Sequence, residues 1–252
     1  MINDRIRAFA SAILPKELRH WLRSKQRRYQ LHRLPAGTVN FGDLRRLRPI
    51  SRIFGIDRGL PIDRYYIEQF LSSHAADIRK HVLEIGDNVY TRKFGGNQVT
   101  KSDVLNLVPG DPSTTIVADL TRADSLASEM YDCIIFTQTL QMIYHFRSAL
   151  RHIFRILKSG GVLLATTHGI SKIGRREEVD RWGEYWHFTC QSISQIFREL
   201  FPAENITIDS YGNVLSTIAF LHGLAREELS EEELDHRDPD YELLIALRAV
   251  KP

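Results

Sequence analysis

Four short stretches of the chain end in side chains suited to holding a nucleotide: Glu84-Ile85-Gly86-Asp87, Ser102-Asp103-Val104, Ala118-Asp119-Leu120 and Thr137-Gln138-Thr139-Leu140. Each closes an apolar run of strand type, VLEIG, QVTKSDV, TTIVADL and YDCIIFT in turn. A carboxylate after the second such strand can accept both hydroxyl protons of a ribose. One after the third can accept from the exocyclic amine of adenine, with an apolar neighbour against the ring. Asp103 with Val104, and Asp119 with Leu120, have the residue types for these roles. A single Asp at a strand end is commonly a turn residue. The recurrence, 17 residues from Gly86 to Asp103 and 16 more to Asp119, points to one shared ligand.

These residues need a sheet to bring them together. Further strand-like runs are GVLLATT from 161, NITIDSY from 205 and YELLIALRAV from 241. Between them lie amphipathic stretches: Ile143, Phe146, Leu150, Ile153 and Leu157 share a helical face that ends at Ser159-Gly160-Gly161,. A second helix is expected over 191–200. Ahead of the first strand, Asp63 is placed to cap a helix whose stripe is Tyr66, Ile67, Phe70, Leu71 and Ile78,. Alternation of strands with helices predicts an α/β fold with a Rossmann-like, doubly wound, mostly parallel sheet, in which ligands bind beyond the carboxyl ends of the strands. The acidic stretch 225–240 reads as a solvated excursion with no cage of metal ligands.

With 252 residues, 43% hydrophobic and 26% charged, the chain can bury a substantial core,. It has no apolar run of membrane-spanning length and no secretory signal pattern, so the cytoplasm is the expected location. Cys133 and Cys190 lack metal-ligand spacing and are expected to be core thiols. Charge is uneven. Residues 1–50 carry twelve Lys or Arg against three acids, a balance of +9 where the whole chain has +3. Ile6, Phe9, Ala10, Ile13, Leu14, Trp21 and Leu22 recur among these bases at roughly helical spacing. The predicted division is therefore a basic N-terminal helical arm, 1–50, and a nucleotide-binding domain, 51–252. The arm suits a protein partner or an anionic membrane surface, with peripheral attachment, or packing on its own domain. No base-reading motif accompanies the charge, so nucleic acid is not an expected partner.

VLEIG, SDV, VADL, YDCIIFTQTLQMI and ILKSGGVLLATT, in that order over about residues 80–170, resemble the ordered motifs of class I S-adenosylmethionine-dependent methyltransferases. The flanks RGLPIDRYYIEQFL, DRWGEYWHFT and SYGNVL are similar to a subgroup associated with bacterial polysaccharide and glycan biosynthesis. The resemblance implies seven strands, the last antiparallel and inserted beside the fifth, and S-adenosylmethionine as cofactor. It also implies O-methylation of a saccharide or glycan-linked acceptor. A fold of this kind retained for binding or scaffolding, without turnover, is the alternative.

The family's loop after the first strand commonly reads E-x-G-x-G-x-G. Here Glu84 and Gly86 match, while Asn88 and Tyr90 occupy the other glycine positions. Three readings stay open: Asn88 keeps a left-handed turn while Tyr90 and Thr91 line the cofactor wall; the loop no longer binds the cofactor; or another dinucleotide binds there. Glu84, Gly86, Asp87, Tyr90 and Gln138 join the two aspartates as the cofactor set. A general base is needed chiefly for a hydroxyl acceptor. His145, His168, Glu184 and His187 are candidates, with His168 first because LLATTHG sets it beyond a strand end. Trp182, Tyr185, Trp186 and Phe188 could stack on a sugar. Arg58, Arg64 and Tyr65 are the lid-side candidates for the acceptor, the two arginines for a phosphate or carboxylate on it.

Overall fold

The computed structural model describes residues 37–174 and 183–252. The amphipathic stretch of the predicted arm and Trp182 fall outside them. The described part before Arg48 contributes one short helical turn, Gly42–Leu44. From Arg48 onward the chain forms one compact unit.

That unit is built on a seven-stranded sheet in the order β3-β2-β1-β4-β5-β7-β6. The strands are β1 (Lys80–Ile85), β2 (Val99–Asn106), β3 (Ile116–Val117), β4 (Tyr131–Thr137), β5 (Leu157–His168), β6 (Ile206–Tyr211) and β7 (Leu244–Val250). The first five run parallel, and β7 lies antiparallel between β5 and β6. All seven predicted strands are present, with the last antiparallel beside the fifth.

Strand alternation sorts the core into two layers. Leu83, Ile134, Phe136 and Leu163 face one side, where they meet α2 (Phe146–Ile156) and α3 (Cys190–Arg198). Val82, Cys133, Ile135 and Leu164 face the other, against α1 (Ile62–Ser73) and α4 (Val214–His222). Both faces of the central strands are covered, which is why they read as unbroken apolar runs. On α2, Leu150, Ile153 and Ile156 are essentially fully buried, each stabilising by roughly 1.5–3 kcal/mol,. A short helix, α5 (Glu231–Asp235), turns Leu234 inward and leaves Glu231 to Glu233 in solvent. Cys133 is buried and Cys190 half-buried; burial pushes both thiols up, Cys190 to about 12.

Three local expectations are corrected. The helix before β1 begins after Pro61, and Asp63 lies inside its first turn, where its carboxylate accepts from Arg64 N at 2.8 Å and is not the cap. That helix ends at Ser73, so the buried Ile78 lies beyond it. Helix α2 stops at Ile156, and Leu157 pairs with Tyr131 as the first residue of β5, while Gly160 at φ +72° bends the strand's beginning.

Candidate functional site

Because β1 to β5 run parallel, their carboxyl ends share one edge of the sheet. β1 delivers Gly86 to that edge at φ +97°, a conformation that favours glycine, and no atom lies within 4 Å of where its Cβ would be,. The loop that follows is tied down from several directions. Glu84, buried within β1, accepts from Thr91 N and Oγ1, each at 2.7 Å, and from Tyr90 N at 3.2 Å. Its carboxylate thereby caps the short helix Thr91–Gly95,. Burial outweighs those hydrogen bonds and raises the carboxyl to about 7,. Asp87 accepts from Val89 N at 2.9 Å, and Asn106 at the end of β2 donates to Gly86 O at 2.9 Å.

At the end of β4, Gln138 takes φ +48° and donates its N–H to Thr166 O. Its Oε1 accepts from Gln141 Nε2 at 2.8 Å, and Gln141 Oε1 accepts from Thr167 at 2.9 Å. The carbonyl of the fully buried Gln141 also receives Tyr185 N. This relay fastens the 183–189 segment to the β4 and β5 tips. It leaves one donor over, Gln138 Nε2, which is buried with no partner; Asn88 Oδ1 is in the same condition. Two unmet polar atoms beside an open glycine are what a polar ligand would satisfy.

His168 ends β5, only 6% exposed, with Nδ1 unpartnered. Its ring is parallel to Phe54 within 7° at 6.5 Å and borders Phe220 and His187. Burial first, then the charges of His187 and Lys172, lowers it to about 4, so the imidazole is neutral at physiological pH,. Glu184 accepts from Gly174 N at 2.5 Å and lies 3.0 Å from His187 Nε2.

Residues 54–207, more than half of the chain, match the family model described as a methyltransferase domain. The chain belongs to this methyltransferase family. Among solved structures the methyltransferase is similar to a Listeria monocytogenes protein designated an S-adenosylmethionine-dependent methyltransferase. The TM-score is 0.50 at 13% identity, over 76% of this chain and 97% of the other. It is equally similar to an S-adenosylmethionine-dependent methyltransferase of Archaeoglobus fulgidus (0.50, 10%, covering 75% and 94%) and to the [4+2]-cyclase SpnF (0.50, 16%, covering 77% and 84%). At these identities the likeness is one of fold, and the cyclase shows that the fold alone does not fix the reaction. No curated protein matches the sequence. The domain implies S-adenosylmethionine as its cofactor, and the open glycine with its two unmet polar atoms fits such a group.

Not every predicted site residue of the methyltransferase reaches the tip edge. Strand β2 continues to Asn106, so Asp103 lies within it, paired with Leu83. Its carboxylate accepts from Tyr131 OH at 3.3 Å and lies 2.7 Å from His81 Nε2 and 3.5 Å from Lys101 Nζ, toward the strands' amino ends. Val104 is wholly buried in the sheet. Asp119 does follow β3, where it caps the turn Leu120–Arg122 through Thr121 N at 2.8 Å; Leu120 is core. Asn88 is not left-handed: Gly86 alone in this loop has positive φ. Tyr90 turns its ring into the core, and its hydroxyl accepts from Arg64 Nη1 at 3.2 Å. Arg58 donates to Glu228, with Nε at 2.9 Å, and Tyr65 donates to Asp235, so both face the acidic segment. Tyr185 is half-exposed and meets the exposed Tyr144 edge-on at 5.3 Å, whereas Trp186 packs on Phe146 and donates to Ile143 O.

Asn106, Gln141, Tyr144 and Lys172 belong to this region and were not singled out from sequence. Gln141 had a signal, since it follows Gln138 by three residues in QTLQ, close enough for the two amides to bond across one turn.

Proposed function

We propose that the chain transfers a methyl group from S-adenosylmethionine to a hydroxyl of a saccharide or glycan-linked acceptor held over the β4 and β5 tips. The carrying observation is Gly86 with open space above it, flanked by the unpartnered Asn88 Oδ1 and Gln138 Nε2. An acceptor and a donor atom in that arrangement suit the ammonium and carboxylate of the methionine portion. Asn106 at the β2 tip replaces Asp103 as the residue for the ribose hydroxyls, and Asp119 keeps its assignment to the adenine amine. Asp87 and Arg64 border this cradle. Glu84 positions the loop and does not itself reach the ligand.

When bound, S-adenosylmethionine supplies a methyl group already activated by the sulfonium charge, so the protein's main task is alignment. His168, held neutral by burial, accepts the acceptor's hydroxyl proton through Nε2, in the tautomer that carries its own proton on Nδ1,. Glu184 acts through His187 and the Gly174 amide, shaping the wall of the pocket. Tyr144 and Tyr185 offer exposed rings to the apolar face of a sugar,. The saccharide class draws its support from the sequence resemblance and these two rings. The basic segment that precedes Arg48 is assigned to an anionic surface or protein partner on its charge. Calorimetry of the full chain with S-adenosylhomocysteine tests the reading: saturable one-to-one binding is expected. Its absence overturns the reading in favour of a non-catalytic binding protein.

A further inference from the structure

We infer that the acceptor site beyond β5 takes a molecule bearing an oxyanion, phosphate or carboxylate, gripped by Lys172 and His168. The inference rests on the methyltransferase reading for the site's role, though not for its charge.

The cations expected for such a group from sequence have other engagements. Arg58 is ion-paired with Glu228, and Arg64 donates to Tyr90. Lys172 and Arg52 differ from them, since neither has a carboxylate within ion-pair distance among the described residues. Lys172 Nζ instead lies 3.4 Å above the centre of the Phe54 ring. Partial burial, with Arg52 adding repulsion and Glu184 only partly offsetting it, lowers the ammonium below the usual lysine range. Glu184 is the nearby acid; its Oε2 accepts from Gly174 N, its Oε1 lies 3.0 Å from His187 Nε2, and neither comes within ion-pair distance of Lys172.

Phe54 carries Lys172 over its ring and lies parallel to His168, which brings the ammonium and the buried imidazole into one neighbourhood. His168 Nδ1 has no partner there. A partly desolvated ammonium with no ion-pair partner among the described residues, and a buried nitrogen without a hydrogen bond on the other neighbour of the same Phe54 ring, are each unfavourable in an isolated protein,. One oxyanion relieves both, as counter-ion to Lys172 and as acceptor for a proton on Nδ1. Phe54 takes φ +62°, a strained conformation for a bulky residue that the surrounding packing must impose,. On an acceptor with such a group, the anion anchors one end while a hydroxyl elsewhere on it is presented to the donor.

The test is calorimetry of the full chain, with and without S-adenosylhomocysteine, using glucose 1-phosphate, glucuronate and glucose as probes. At least one anionic sugar is expected to bind about tenfold or more tightly than glucose; which one does so separates phosphate from carboxylate. Lys172→Ala should weaken that binding by about tenfold or more and leave S-adenosylhomocysteine affinity unchanged, while Lys172→Arg retains it. Equal binding of glucose, no saturable binding by either anion, or indifference to Lys172→Ala would overturn the inference. If the anions bind and S-adenosylhomocysteine does not, the methyltransferase reading fails and the oxyanion site stands; the reverse result removes only the site.

Discussion

At one end of the central sheet, where β1 and β4 begin, Asp103 is met by His81, Tyr131, Lys101 and, at 3.3 Å, Thr115. At the other end, where the same strands finish, Asn88 Oδ1, Gln138 Nε2 and His168 Nδ1 are buried with nothing to bond. Both regions are rich in polar side chains. Asp103 shows how the chain treats a buried charge it intends to keep: burial pushes the carboxyl up, but the His81 hydrogen bond and the Lys101 charge outweigh it and leave it below the usual range. A satisfied cluster of that kind is structural. The unsatisfied atoms at the strand tips are the ones available to a ligand, and the difference lies in hydrogen-bond completeness rather than in residue type.

The sharpest way to break this contrast is at Gly86. An alanine there has to hold φ near +97° and puts a methyl group into the open space of the cradle. Gly86→Ala is expected to weaken S-adenosylhomocysteine binding by about 100-fold, some 2.7 kcal/mol. Its stability in urea should fall by about 1 kcal/mol from backbone strain. Retained affinity would mean that the ligand lies elsewhere. At the opposite end, Asp103→Ala strands Tyr131 OH and His81 in the interior. The expected loss is about 2 kcal/mol of stability, read from the denaturation midpoint, with S-adenosylhomocysteine affinity changed by less than about twofold. Should affinity collapse while stability holds, Asp103 would regain the ribose role and Asn106 would lose it.

The place of Asp103 inside β2 shows where sequence reading stops. The strands were legible because a sheet covered on both faces demands runs such as CIIF and VLLA, and the alternation with helices left one architecture. The end of β2 was misplaced because an Asp normally signals a turn. It is tolerated inside a strand here only through partners 22 and 28 residues away, His81 and Tyr131, which no local pattern reveals. Pro109-Gly110 was the better stop signal. The altered glycine loop looked like a defect because the family pattern lists three glycines, yet the backbone needs positive φ only at Gly86. His168 was legible as a polar residue after an apolar run. Its surroundings were not, since Phe54 and Phe220 reach it from distant parts of the chain.

Glu84 joins the two conditions, being both well bonded and perturbed, and it gives the smallest of these effects. Three donors favour its ionised form, but burial is the larger influence and raises the folded-state value from 4.5 to about 7,. A carboxyl raised on folding binds its proton more tightly in the native state. Its contribution to stability is therefore complete below about pH 4.5 and is lost as pH rises through 7,. From pH ~6 to ~8 the wild-type chain should lose about 1 kcal/mol relative to Glu84→Gln, measured as the change in the stability difference between them. The glutamine variant carries a constant penalty, because its amide offers one acceptor oxygen to Tyr90 N and Thr91 N where the carboxylate offers two. The slope is thus the informative quantity and the offset is not. Parallel curves for the two proteins would show that the hydrogen bonds from Thr91 and Tyr90 outweigh burial, and Glu84 would then belong with Asp103 among the charges the fold has fully compensated.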